Sequence, residues 1–183
     1  MTKKAKTWKT LSSKVILNHK QLKITEDLVL LPNGPKTTYI RHAAASTHSV
    51  IVVATNVKNQ VLVQREYSYP PNKVMWQLPG GSTKEGESII AAALRELAEE
   101  SGYSSRKSEI LGSFYTHNRL SNKKQYVVAC TELFKYKLAE DEDEFIETVW
   151  MSKKQLTDKI AKRQFDNINL LAALNIWFNR NKK

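Results

Sequence analysis

The run Ser49-Val50-Ile51-Val52-Val53-Ala54 constrains this chain more than any other stretch. It is apolar on both faces, which marks a central buried strand that must be covered from two sides. Residues 55–60 turn it into Val61-Leu62-Val63-Gln64. Upstream, 14–17 and 22–25 read as strands around a polar turn at 18–20. A further strand at 28–31 meets the turn signal Pro32-Asn33-Gly34-Pro35, and 37–40 resumes. Downstream come a proline loop, Tyr69-Pro70-Pro71-Asn72, and a glycine-rich turn, Leu78-Pro79-Gly80-Gly81. A helix follows at roughly 88–101, with Gly86 or Glu87 at its start and Gly102 at the position where a left-handed residue ends helices. Strands at 110–116 and 125–133 precede the acidic run 140–144. Ser152 can cap a short helix, and 166–180 forms an amphipathic last one. Strands with a helix between them and helices at the end predict an α/β fold whose mixed sheet is covered on both faces.

The length of 183 residues suits one domain with an appended arm, and 41% hydrophobic with 26% charged residues excludes a disordered class. No apolar run reaches the roughly 18 residues of a membrane span, and no apolar core follows the basic N-terminus, so a cytoplasmic protein is expected. The single cysteine, Cys130, reads as a small core residue of a strand. The net charge of +11 divides unevenly. Residues 1–48 carry nine Lys/Arg against two acids and 152–183 carry eight against two, whereas 49–151 carry twelve against fourteen. The basic flanks would speed encounter with polyanions, but no Lys/Arg cluster interleaves with aromatics as a base-stacking platform requires. A solubilising lysine surface is the simpler reading, and nucleic acid stays an open alternative partner.

The chemistry gathers on the long helix. Glu96, Glu99 and Glu100 fall within an arc of about 100°, opposite Ile90, Leu94 and Leu97. Like charges at this spacing repel, and a hard divalent cation would remove that cost. The oxygen-only donors favour Mg²⁺, with Mn²⁺ as substitute. Arg95 can reach Glu99 one turn on and orient it. By itself the cluster reads more simply as a solvated helix face.

The surrounding spacing decides between these readings. Gly81, five residues, Glu87, seven residues, then Arg95-Glu96-Leu97-Ala98-Glu99-Glu100-Ser101-Gly102-Tyr103 resembles the Nudix box at every specified position. The resemblance implies an α/β/α sandwich that hydrolyses a nucleoside diphosphate linked to another moiety. It also implies metal held by Glu96, Glu100 and the carbonyl of Gly80, with Gly81, Glu87 and Gly102 shaping the loop.

The similarity extends through Val63-Gln64-Arg65-Glu66-Tyr67, Pro70 and Trp76-Gln77-Leu78-Pro79-Gly80-Gly81 to the ADP-ribose pyrophosphatases and related sugar-nucleotide hydrolases. That group implies a homodimer paired through an N-terminal antiparallel β arm, here 1–45, ahead of a hydrolase domain at 46–183. It further implies a general base from the late acidic loop, Glu142 or Glu144, with Glu144 also a possible metal ligand. Arg65, Tyr67 and Trp76 become candidate substrate contacts, although for the two aromatics filling the core edge is the simpler reading. Two departures stand out: Ser68 replaces an arginine usual in that group, and Asn118-Arg119 replaces a Pro-Gly pair. Arg119 could supply the missing cationic contact. Hydrolysis of damaged nucleoside triphosphates or of RNA 5′ ends, and a catalytically silent nucleotide sensor, are the alternatives.

Overall fold

The structure is a computed structural model, and it describes residues 4–45, 47–139 and 145–180. The chain divides into two compact units, one of residues 1–46 with 117–123, the other of 47–116 with 124–183.

The first unit is a three-stranded antiparallel sheet in the order β1 (Lys9–His19), β2 (Leu22–Leu30), β3 (Lys36–His42). The stretches 22–25 and 28–31, read from sequence as separate strands, are one continuous β2. The acids between them do not break it, because Asp27 is buried and Arg41 on β3 donates to both its oxygens, at 2.6 and 3.3 Å. Hydrogen bonds from Ser13 and Arg41 hold the Asp27 carboxyl below its ordinary value although burial opposes them. Every residue of β1 is exposed, apolar Leu11, Val15, Ile16 and Leu17 included. The distant segment 117–123 joins this unit through backbone bonds: His42 donates to the Leu120 carbonyl at 2.8 Å, and the Ala45 N–H to Asn122 Oδ1 at 2.9 Å.

In the second unit β4 (Ser49–Ala54) pairs in parallel with β8 (Lys124–Lys135), which pairs antiparallel with β7 (Tyr103–Tyr115). A second sheet is antiparallel, in the order β6 (Lys73–Gln77), β5 (Val61–Ser68), β9 (Glu147–Met151). Three helices complete it: α1 (Ile89–Ser101), α2 (Lys153–Ala161) and α3 (Ile168–Asn179). The unbroken apolar run of β4 is explained by its two neighbours. Val50 and Val52 pack with Ala92, Ala93 and Leu97 of α1, while Ile51 and Val53 pack with Leu156 of α2 and with Leu170 and Leu174 of α3. The expected mixed sheet covered on both faces is what forms. Cys130 is buried on the α1 side. Among the described residues no helix is long and apolar enough to cross a membrane.

Sequence reading set the start of α1 at Gly86 or Glu87. The cap is Ser88, whose hydroxyl accepts from Ala91 N at 3.1 Å, and Gly102 ends the helix at φ 69°. The last helix likewise begins past Asp166, on an Asn167 cap.

Candidate active site

The glycine-rich turn runs alongside β4 as if it were a further strand. Val52 N donates to the Pro79 carbonyl at 2.7 Å and Val50 N to the Gly81 carbonyl at 2.9 Å. This close approach leaves no room for side chains. A Cβ on Gly80, whose φ is +155°, would stand 2.1 Å from the Val50 carbonyl oxygen. One on Gly81 would stand 2.4 Å from Glu96 Oε1. The glycines are there because backbone occupies one side and a carboxylate the other.

Two carboxylates from α1 therefore reach adjacent residues of the loop, Glu96 at Gly81 and Glu100 at Gly80. The Gly80 N–H donates to Glu100 Oε2 at 3.1 Å, and Gln64 Nε2 on β5 donates to the same oxygen at 2.9 Å. Gln64 is wholly buried, and among the described residues its Oε1 has no hydrogen-bond partner. An unmet buried acceptor costs on the order of 1–3 kcal/mol. Sequence reading passed over this residue. The available signal was a carboxamide closing an apolar strand, on the same side of it as Leu62.

Arg95 organises the rest. Its guanidinium donates to Glu87 through Nε at 2.9 Å and Nη2 at 3.0 Å, to Glu96 and Glu99 through Nη1 at 2.9 and 2.8 Å, and to the Ser82 carbonyl at 3.0 Å. Glu87 also accepts from Lys84 N at 2.8 Å, so it closes the loop on itself. These bonds, those from Arg95 foremost, hold the Glu87 carboxyl below its ordinary value, and the carboxylates push the guanidinium still further above its own. Glu96 moves the other way: burial raises its carboxyl, and Arg95 only partly offsets that.

A buried carboxylate that resists its own charge, set beside a second one and a backbone loop, is an oxygen-only donor set that suits a hard divalent cation. Among the described residues no three His, Cys, Asp or Glu side chains already stand as a metal cluster, since Arg95 lies between Glu96 and Glu99. A groove of about 470 Å³ opens beside Glu100, walled by Gly102, Lys135, Lys137 and Thr148. That volume matches small-molecule sites, and its lysines suit an anion.

The remaining candidates fall in several places. Arg65 pairs with Glu147 at 3.2 Å and lies 5.3 Å from the centre of the Trp76 ring, which Lys159 also approaches, at 4.9 Å. Trp76 packs edge-on to Phe165 at the margin of the core. Tyr67 is exposed and donates to Asn72 Oδ1 at 2.9 Å. Arg119 belongs to the first unit, where its carbonyl accepts from the Tyr39 hydroxyl. Glu142 and Glu144 lie outside the described residues.

Comparison with known proteins converges on this geometry. The chain is 31% identical over 169 residues to a methanol dehydrogenase activator of Bacillus methanolicus, covering 90% of this chain and 89% of that one. It is 28% identical over 160 residues to an ADP-ribose pyrophosphatase of Bacillus subtilis (strain 168), covering 85% and 84%. The crystal structure of an ADP compounds hydrolase shares the fold with a TM-score of 0.89 at 21% identity, over 97% of this chain and 96% of that one. The NUDIX domain model matches residues 46–174, which take in the glycine loop, the clamped helix and the sheets that carry them, and the chain accordingly belongs to the Nudix hydrolase family.

Proposed function

We propose that the protein is a Mg²⁺-dependent pyrophosphohydrolase. It would split a nucleoside diphosphate derivative, ADP-ribose or a related sugar nucleotide, into a nucleoside monophosphate and a phosphorylated sugar. The observation that carries this reading is the placement of Glu96 and Glu100 against Gly81 and Gly80. The similarity along most of the chain to a protein named ADP-ribose pyrophosphatase supports the choice of substrate.

Glu96, Glu100 and the Gly80 carbonyl would hold the cation, with Mn²⁺ able to replace Mg²⁺. Bound there, it would supply charge neutralisation for the diphosphate and a more acidic water. The chain's own residues do the rest. Arg95 keeps Glu87 and Glu99 in place and so fixes the loop, and Lys135 and Lys137 give the groove a positive wall for the anion. Glu142 or Glu144 would take the proton from the attacking water as its oxygen bonds to phosphorus and the anhydride bond to the other phosphate breaks. Arg65, Tyr67 and Trp76 would contact the substrate. The exposed apolar residues of β1 favour a homodimer through the arm, since an uncovered strand edge invites pairing.

The test is incubation with Mg²⁺ and a panel of ADP-ribose, other sugar nucleotides, dinucleotides, nucleoside triphosphates and 5′-triphosphate RNA, with products separated by chromatography. AMP and ribose 5-phosphate from ADP-ribose are expected. Turnover of triphosphates or RNA alone would overturn the substrate, and turnover of nothing with nucleotide still bound would overturn the enzyme.

A further inference from the structure

Val61, Leu62 and Val63 are apolar and buried, and the two-residue period of a strand sends Leu62 and Gln64 toward α1. Gln64 is thus a carboxamide where packing alone would favour valine or leucine. Its orientation is set by charge: turned over, the amide would press Oε1 against the Glu100 carboxylate. The consequence is visible on its other side, where Oε1 is buried without a partner among the described residues. A residue selected for packing would carry no such unmet acceptor.

We infer that Gln64 is a positioning residue for the carboxylate of Glu100. A side-chain donor from β5 and a backbone donor from the loop meet on a single oxygen of the helix, Glu100 Oε2. Three elements thereby fix the direction in which that carboxylate faces its cation. The orphaned acceptor is the cost of placing the amide where it serves Glu100. Hydrogen-bond partners of this kind govern how well a metal ligand is aimed. The inference rests on the reading that Glu100 holds the metal.

The experiment uses the full chain and Mn²⁺ alone as probe, with binding followed by electron paramagnetic resonance and calorimetry. Gln64→Leu and Gln64→Met remove the donor and the orphan together while keeping the volume apolar, and either serves if the other does not fold. Both are expected to bind Mn²⁺ about tenfold more weakly. The Mn²⁺ needed for half-maximal turnover should rise in step, KM for nucleotide at saturating Mn²⁺ should stay unchanged, and the metal-free melting temperature should be equal or higher. Mn²⁺ binding within twofold of wild type in both variants overturns the inference. So does a fall in metal-free melting temperature that parallels the weaker binding, since that marks a packing role. Glu100→Gln separates the two readings. If it binds Mn²⁺ as well as wild type does, the metal assignment at Glu100 falls and this inference with it. If it alone loses binding, only the role of Gln64 falls.

Discussion

Adjacent glycines in the loop make opposite demands, and substitution should separate them. Alanine at Gly81 would meet the end of a flexible side chain, so Glu96 must swing aside while the fold persists. Weaker metal binding with a near-normal melt is the expected outcome, read by calorimetry. Alanine at Gly80 would meet the Val50 backbone, which has nowhere to go, and should cost about 3 kcal/mol in urea unfolding. If Glu100 holds the metal as proposed, Glu100→Gln should lower turnover by about three orders of magnitude while the cooperative melt remains, because losing a ligand forfeits several kcal/mol at roughly 1.4 per decade. Legibility at this scale followed distance along the chain. The reach of Arg95 to Glu99 was visible because one helical turn separates them. Its grip on Glu87 and the Ser82 carbonyl was not, because both depend on how the loop folds back. Gln64 was hidden because its meaning lies in the helix it faces, which its own strand does not reveal.

At the scale of elements, the central strand, the capped helix and the second short helix were readable because each carries its own signal. β6 was not, since Lys73-Val74-Met75-Trp76-Gln77 sits between a proline pair and a glycine turn and becomes a strand only by pairing with β5. The first half of β7 was missed for a similar reason. Its polar residues from Ser104 to Glu109 alternate weakly, and its extended form comes from the ladder with β8. The sheet of the first unit offers a pH test. Asp27 titrates below its ordinary 3.8, so its stabilising contribution is complete above that value and is lost as pH falls through the lower folded one. Protection of the β2 and β3 amides, taken relative to the intrinsic exchange rate at each pH, should therefore fall as pH drops below about 4, and Asp27→Asn should flatten that dependence. In α1, Arg95→Ala would leave two largely buried carboxylates without their cation. A loss of about 3 kcal/mol is expected in urea unfolding, and lysine should restore only part of it because it lacks the fork.

For the whole molecule, the two units explain why the arm is more than an appendage. Segment 117–123 takes backbone bonds from β3 and the residues just past it, so deleting 1–45 strips partners from a loop far downstream. Such a truncation should run as a monomer or precipitate on size exclusion, and a stable active dimer would refute dimerisation through the arm. Charge asymmetry was legible from counting alone. The joining of 117–123 to the arm was not, because no local pattern marks a loop that answers to another unit. The parallel ladder between β4 and β8 sets one more condition on the molecule, in time. Ser49 finds its partner only at Gln125, with the loop, the helix and β7 all lying between. Closing so long an excursion is slow and unrewarded until it is complete. A nascent chain leaving the ribosome will thus have made every glutamate of the helix well before Cys130 emerges and β4 can be seated. Until then the apolar run that organises the fold stays open to misassociation, and refolding should be limited by that late parallel pairing.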